Sequence, residues 1–300
     1  LINKRICLAL ILFSFLTLTL FSEDEKTPFI LQYNLATIIQ QLNIASVDDP
    51  DNSQAFVPNA PLIPGISLLY GRFSGSISYA LVSVQDNDVY GASEYSSFGL
   101  SYYRDNWGLA GRFVRNKGFY LDSSEDSDYE KYPSMMLYDL NAEFIFKLSK
   151  KDLSLKGVMN EFDNLSESGG AWLGMMTYNY HNLDDIADVV GDNVSEASFQ
   201  SFGLLPGYTY SYVKSYFFVR GLLFVGPAVQ YQNYIYTDRY SDRITYVFML
   251  KANLNIGVDR PKNYWGFNWD LDYTNLARLN DHIELSTSTS GVKLYYGHRY

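Results

Sequence analysis

YDLNAEFIFKL, residues 138–148, sets Tyr138, Leu140, Ala142, Phe144, Phe146 and Leu148 against Asp139, Asn141, Glu143, Ile145 and Lys147. Successive side chains of a β-strand point to opposite faces, so one face carries nothing more polar than the tyrosine hydroxyl. A slip of one residue would put two acids and a lysine on the apolar side. A lysine at a bilayer midplane alone costs about 2–4 kcal/mol, and the register is strongly specified. RITYVFMLKANLNIGV, 243–258, repeats the pattern. Ile244, Tyr246, Phe248, Leu250, Ala252, Leu254, Ile256 and Val258 share one face. Thr245, Lys251, Asn253, Asn255 and Gly257 share the other with Val247 and Met249. Alternation alone does not separate an apolar exterior in lipid from an apolar core in a soluble sandwich. Strand length, composition and the two ends of the sequence carry that decision.

Such segments recur from Leu62 onward. The spacing predicts strands over 62–71, 73–84, 95–104, 107–116, 137–148, 152–160, 170–181, 199–212, 216–232, 243–258, 263–275 and 282–300. That is an all-β, antiparallel transmembrane barrel of about twelve strands, with ten to fourteen as the range. Many segments exceed the ~5–6 residues usual in globular sheets and reach the ~9–11 that cross a bilayer at a tilt. Short connections (Arg72-Phe73, Asp105-Asn106, Ser149 to Lys151, Lys214-Ser215, Asp259 to Lys262) contrast with long ones (85–94, 117–136, 182–198, 233–242), the barrel habit of periplasmic turns and outer loops. One irregularity stands out. The long connections 161–169 and 182–198 are consecutive, so either 28–44 is a strand and the count errs elsewhere, or one longer connection is periplasmic.

Composition points the same way. Aromatics make up 17% of the 300 residues, 27 of them Tyr, and charged residues 19%, below the ~25% of a soluble chain. Mean hydropathy is nevertheless −0.14, as expected where lipid-facing and lumen-facing residues average out. Aromatics cluster in YTYSYVKSYFF (208–218) and YQNYIYTDRY (231–240), one on each side of an apolar stretch, and so predict two membrane-interface girdles. A net charge of −10 argues against nucleic acid as a partner.

Lys4-Arg5, the apolar run from Ile6 to Phe21 and Ser22 read as a secretory signal cleaved near Ser22. The expected division is therefore 1–22 signal peptide, 23–61 N-terminal segment (first strand, plug or periplasmic extension) and 62–300 barrel. The one cysteine, Cys7, falls inside the signal, which removes disulfides, thiolate metal sites and cysteine nucleophiles from the mature chain. No cofactor or metal is expected. The acidic stretch DSSEDSDYE (122–130) lacks the glycine and spacing of a calcium loop. It reads, like DDIADVVGDN (184–193), as a solvated outer loop.

Two histidines raise an enzyme reading. His282 follows Asp281, and His181 precedes Asp184-Asp185; either is a general-base candidate, but no serine motif supplies a partner. Lumen-facing charges are expected at Asp139, Glu143, Lys147, Lys251, Asp270, Asp272, Lys293 and Arg299. They would line a narrow pathway or pair into a plug.

GVKLYYGHRY, 291–300, carries the alternation to the last residue. Val292, Leu294, Tyr296, His298 and Tyr300 are expected to form the membrane-assembly signal read by barrel-assembly machinery, with Val292, Leu294 and Tyr296 toward lipid. On VPNAPLIPGISLLYGRFSGSISYAL (57–81), LSYYRDNWGLAGRFVRNKGFYL (100–121), YDLNAEFIF (138–146) and SFGLLPGYTYSYV (201–213), the chain resembles the bacterial family labelled domain of unknown function 4421. Its members look like secreted outer-membrane barrels, so the resemblance implies fold and location and brings no activity. The expected role is an outer-membrane barrel serving as a narrow channel, transporter or structural barrel for an unknown small solute. A lipid-active or proteolytic barrel enzyme and a soluble periplasmic β-protein binding an apolar ligand are the alternatives.

Overall fold

A computed structural model describes residues 29–46, 54–59, 61–80, 82–83, 85–122, 129–149, 154–159, 168–186, 194–236, 240–280 and 283–300. Twelve antiparallel strands close into a barrel: β1 (Phe29–Ser46), β3 (Pro61–Tyr70), β4 (Phe73–Tyr79), β6 (Glu94–Tyr103), β7 (Trp107–Leu121), β8 (Lys131–Lys147), β9 (Gly169–Asp184), β10 (Val194–Lys214), β11 (Phe217–Tyr236), β12 (Tyr240–Asp259), β13 (Asn263–Asn280) and β14 (Ile283–Arg299). β1 closes the ring by pairing β14 on one side and β3 on the other. The seam with β14 runs without a shift from Ile30 opposite Arg299 to Ser46 opposite Ile283. Two short strands, β2 (Gln54–Val57) and β5 (Val82–Ser83), and two short helices, α1 (Asn87–Tyr90) and α2 (Leu155–Met159), complete the described elements.

The expected number of wall strands holds, but its membership changes. Residues 29–46 are a full wall strand, while the strand expected over 152–160 is absent: Leu155–Met159 are helical. Leu155, Val158 and Met159 are spaced i, i+3, i+4, a helical stripe, and the lumen buries Leu155 and Val158. The exchange also resolves the irregular connections. In place of the short connection expected at Ser149 to Lys151 and the long one at 161–169, residues 148–168 become one long link at the end where Tyr300 N–H donates to the Phe29 carbonyl and where the tight turns at Gly71, Ser215 and 260–262 lie. We call this the turn end and the opposite one the loop end. The signal peptide and His282 lie outside the described residues.

The outer surface is apolar: Ile244, Tyr246 and Phe248 of β12 are 69%, 82% and 48% exposed, while Val247 and Met249 are buried inside. A soluble barrel would carry its polar face outward, so the soluble β-protein alternative has no support.

The cross-section changes along the axis. At the turn end all twelve strands stand side by side, but β4 and β6 stop short, with lengths of 7 and 10 residues against 20 for β11 and β12. Beyond them β2 takes over, pairing β1 at Leu42–Ile44 and β7 at Tyr120–Leu121. The loop-end ring is therefore ten strands around. Gly118, at φ +83° in the left-handed region, marks the step: a Cβ there would lie 2.3 Å from the Ala92 carbonyl oxygen, so only glycine fits. It sits where the β7–β8 register shifts between Lys117 and Phe119. Asn59 stitches the step, its N–H donating to Ser93 Oγ (2.8 Å) and its Nδ2 to the Gly91 carbonyl (2.7 Å), while Ser93 Oγ donates to the Gly118 carbonyl (2.8 Å).

Candidate functional site

The lumen is layered. At the loop end Leu42, Phe56, Phe119, Met135, Leu137, Leu183, Ile186, Ala197, Phe199 and Tyr234 form a closed apolar plug inside the ten-stranded ring. At the turn end α2 enters the lumen and packs Leu155 and Met159 into a second apolar cluster with Tyr103, Ile145, Leu173, Met175 and Phe224. Arg220 Nη1 donates to the Val158 carbonyl at 2.7 Å, and Ser154 Oγ donates to Asp105 Oδ1 at 3.1 Å. The helix is latched to the wall at both ends.

Between these seals the polar phases of the strands converge. Lys251 of β12 donates to Glu143 of β8 at 2.7 Å and to Asp272 of β13 at 3.0 Å. With its amide oriented to satisfy both neighbours, Asn141 donates to Glu143 and accepts from Lys251 at 3.0 Å each. Removing one member of so enclosed a set would leave unpaired charge at a cost of about 3–5 kcal/mol. Around this trio lies a chamber of about 280 Å³. Its polar lining is Arg112, Asn141, Glu143, Lys251, Asn253, Asp270 and Asp272; its apolar lining includes Ala110, Met159, Met175, Leu222 and Phe224, with Ala110 opposite Glu143 and Phe224 opposite Lys251 in the strand registers. Arg112, on β7, is exposed within the lumen.

A smaller cavity of about 20 Å³ continues toward the loop end and shares Arg112 and Asp272 with the chamber. Its wall holds an unexpected pair: His181 Nδ1 lies 2.5 Å from Asp139 Oδ1, across the β8–β9 register that sets the two residues opposite one another. Asp139 also accepts from Gln40 Nε2 at 2.6 Å, and Gln40 in turn accepts from Asn116. His181 Nε2 is buried without a hydrogen-bond partner in the described structure. Thr274, Thr287 and Thr289 line the same cavity, but none is hydrogen-bonded to His181 Nε2 among the described residues.

The other sequence-derived positions fall into three places. Asp270 lines the chamber beside Gly291. Lys147, Lys293 and Arg299 lie on the polar phases nearer the turn end, Arg299 pairing with Asp259 at 2.7 Å and lying over the Tyr264 ring at 4.7 Å. Val292, Leu294, Tyr296 and Tyr300 are exposed, and His298 Nδ1 meets Asn263 Oδ1 at 2.6 Å. No group of three or more His, Cys, Asp or Glu suited to a metal occurs among the described residues. Arg112 was missing from the sequence-derived set, although the same logic finds it: Leu109 and Phe113 are exposed and Val114 buried, which places Arg112 on the inner phase.

A family model described as Domain of unknown function (DUF4421) matches residues 19–300. The chain belongs to this family. No curated protein matches this DUF4421 chain. Among solved structures it is similar to the translocator domain of autotransporter NalP from Neisseria meningitidis, with 12% identity, 99% of this chain and 96% of that one covered, and a TM-score of 0.43. It is also similar to the outer membrane protease OmpT from Escherichia coli, with 7% identity, coverage of 93% and 99%, and a TM-score of 0.41. The toluene transporter TodX of Pseudomonas putida aligns at 7% identity, coverage of 93% and 90%, and a TM-score of 0.31. This DUF4421 chain folds as a closed antiparallel β-barrel with an apolar outer surface; its chemistry has to be argued from its own lumen.

Proposed function

We propose that this protein is an outer-membrane barrel that passes a small solute along a narrow lumen pathway, held closed in the conformation described. The observation that carries the reading is the pair of charge-lined cavities, sharing Arg112, Asn141 and Asp272 and lying between two apolar clusters. A barrel that was only structural would be filled more cheaply by apolar side chains than by an enclosed ionic cluster. The turn end faces the periplasm, as short turns do in this class. The exposed aromatics Tyr210, Tyr212, Tyr216 and Phe217 on one side and Tyr240 and Tyr246 on the other suit the two lipid interfaces. Val292, Leu294 and Tyr296, outward on the closing strand, are the face offered to the assembly machinery and then to lipid.

In this reading α2 is the inner gate. Ser154→Cys with Asp105→Cys would tether it to the β6–β7 turn. In a planar bilayer the oxidised protein is expected to stay silent and the reduced protein to show discrete openings, with heat-modifiable gel mobility reporting a folded barrel in both. A folded, reduced barrel that never conducts would leave a closed structural role instead.

The Asp139–His181 pair favours a second reading, a hydrolase in which His181 activates a water in the smaller cavity. Its test is hydrolysis of phospholipid or peptide by the reconstituted protein. Activity that is present and survives His181→Ala, or activity absent altogether, removes it.

A further inference from the structure

We infer that the chamber binds a small amphiphilic carboxylate, with its head on Arg112 and its tail on the Met159–Met175–Leu222–Phe224 wall; this deepens the pathway reading and rests on it. Three observations meet here. Arg112 is the chamber cation without a hydrogen bond or ion pair among the described residues, although Tyr95, Asp272, Asp270 and Glu143 lie within range of its charge. Lys251, the other cation of the chamber wall, is already spent between Glu143 and Asp272 at 2.7 and 3.0 Å. Much of the remaining lining is apolar (Ala110, Met159, Met175, Leu222 and Phe224), and the volume of about 280 Å³ sits at the small end of ligand pockets.

A guanidinium offers parallel N–H donors that match the two oxygens of a carboxylate, a geometry an ammonium does not reproduce. Glu143 and Asp272, both drawn to Lys251, present less field to an incoming anion than free carboxylates would, so that Asp270 is the chamber carboxylate such an anion has to share Arg112 with. An anion with no tail would leave the apolar side chains wet, and a neutral apolar molecule would leave the Arg112 guanidinium without a bidentate partner. A ligand with both parts meets both kinds of lining.

The probe is octanoate, measured by equilibrium dialysis against the full chain in lipid nanodiscs, with empty nanodiscs as the lipid background. Specific binding is expected, weakened at least ten-fold in Arg112→Gln and several-fold in Arg112→Lys, with acetate much weaker than octanoate. Heat-modifiable mobility verifies that each variant is folded. Should Arg112→Gln fail to fold, Arg112→Lys decides alone, and undiminished affinity there overturns the inference. Octylamine competing as well as octanoate also overturns it, because the carboxylates and not Arg112 would then be reading the ligand. The measurement needs no conductance: a silent bilayer with bound octanoate sinks the pathway and spares the site, and a conducting barrel that ignores octanoate does the reverse.

Discussion

The two halves of the lumen are built from the same strands and filled in opposite ways. Toward the loop end, ten strands surround a plug of mainly apolar side chains, with Leu42 and Phe56 at or near zero exposure and the Tyr234 hydroxyl donating to the buried Gln232. Toward the turn end, twelve strands surround an ionic trio, an exposed arginine and open volume. Strand number sets diameter, so ten strands leave a bore that side chains can fill and twelve leave one they do not. The β4–β6 hairpin makes the difference. By widening one half it creates room for solvated charge, and by stopping short it lets the other half seal.

The largest expected effect comes from breaking the seal. Phe56→Ala removes the ring that joins β1 to β7 through β2 and should cost about 3–5 kcal/mol, read as a lower denaturant midpoint for heat-modifiable mobility; an unchanged midpoint would mean the ten-stranded ring is not packed as described. Next is Lys251→Met, which strands Glu143 and Asp272 and should cost about 3 kcal/mol. Adding Glu143→Gln should restore part of that loss, and a double-mutant cycle with no coupling would separate the two residues. Smallest is Arg220→Ala, which leaves the Val158 carbonyl unpaired at about 1–3 kcal/mol. Its sharper readout is a raised open fraction in the bilayer, and openings as rare as in the parent would show that Arg220 is not the latch.

Much of the wall was readable from period alone. β8 and β12 show their inner and outer faces residue by residue, because a one-residue slip there moves charge into lipid. β1 was left open because FILQYNLATIIQQLN places its amides on both phases: Gln32, Asn34 and Gln40 face inward, but Gln41 and Asn43 do not. Residues 152–160 misled for the reverse reason. Leu153 and Leu155 alternate as a strand would, and the helical stripe through Val158 and Met159 is too short to outvote them without knowing that a lumen waits to bury it. The site was less visible than the wall. Asp139 and His181 are 42 positions apart, and only the β8–β9 register brings them face to face. The inward charges could be named singly, but that Lys251 is shared and Arg112 is not depends on which strands oppose one another across the bore.

The short hairpin has one more consequence. β2 meets β7 with Phe56 opposite Leu121 and Val57 opposite Tyr120. Continued down both chains, that register sets Tyr70, the last residue of β3, opposite Trp107, the first of β7, and sets the inward Ile63 opposite the inward Val114. The strands flanking the hairpin are thus already in step, as the two cut edges of a cloth match around a gusset. Residues 71–104 can be read as that gusset: a panel let into a narrower tube, whose removal would leave a smaller barrel with its seam aligned and no chamber inside it.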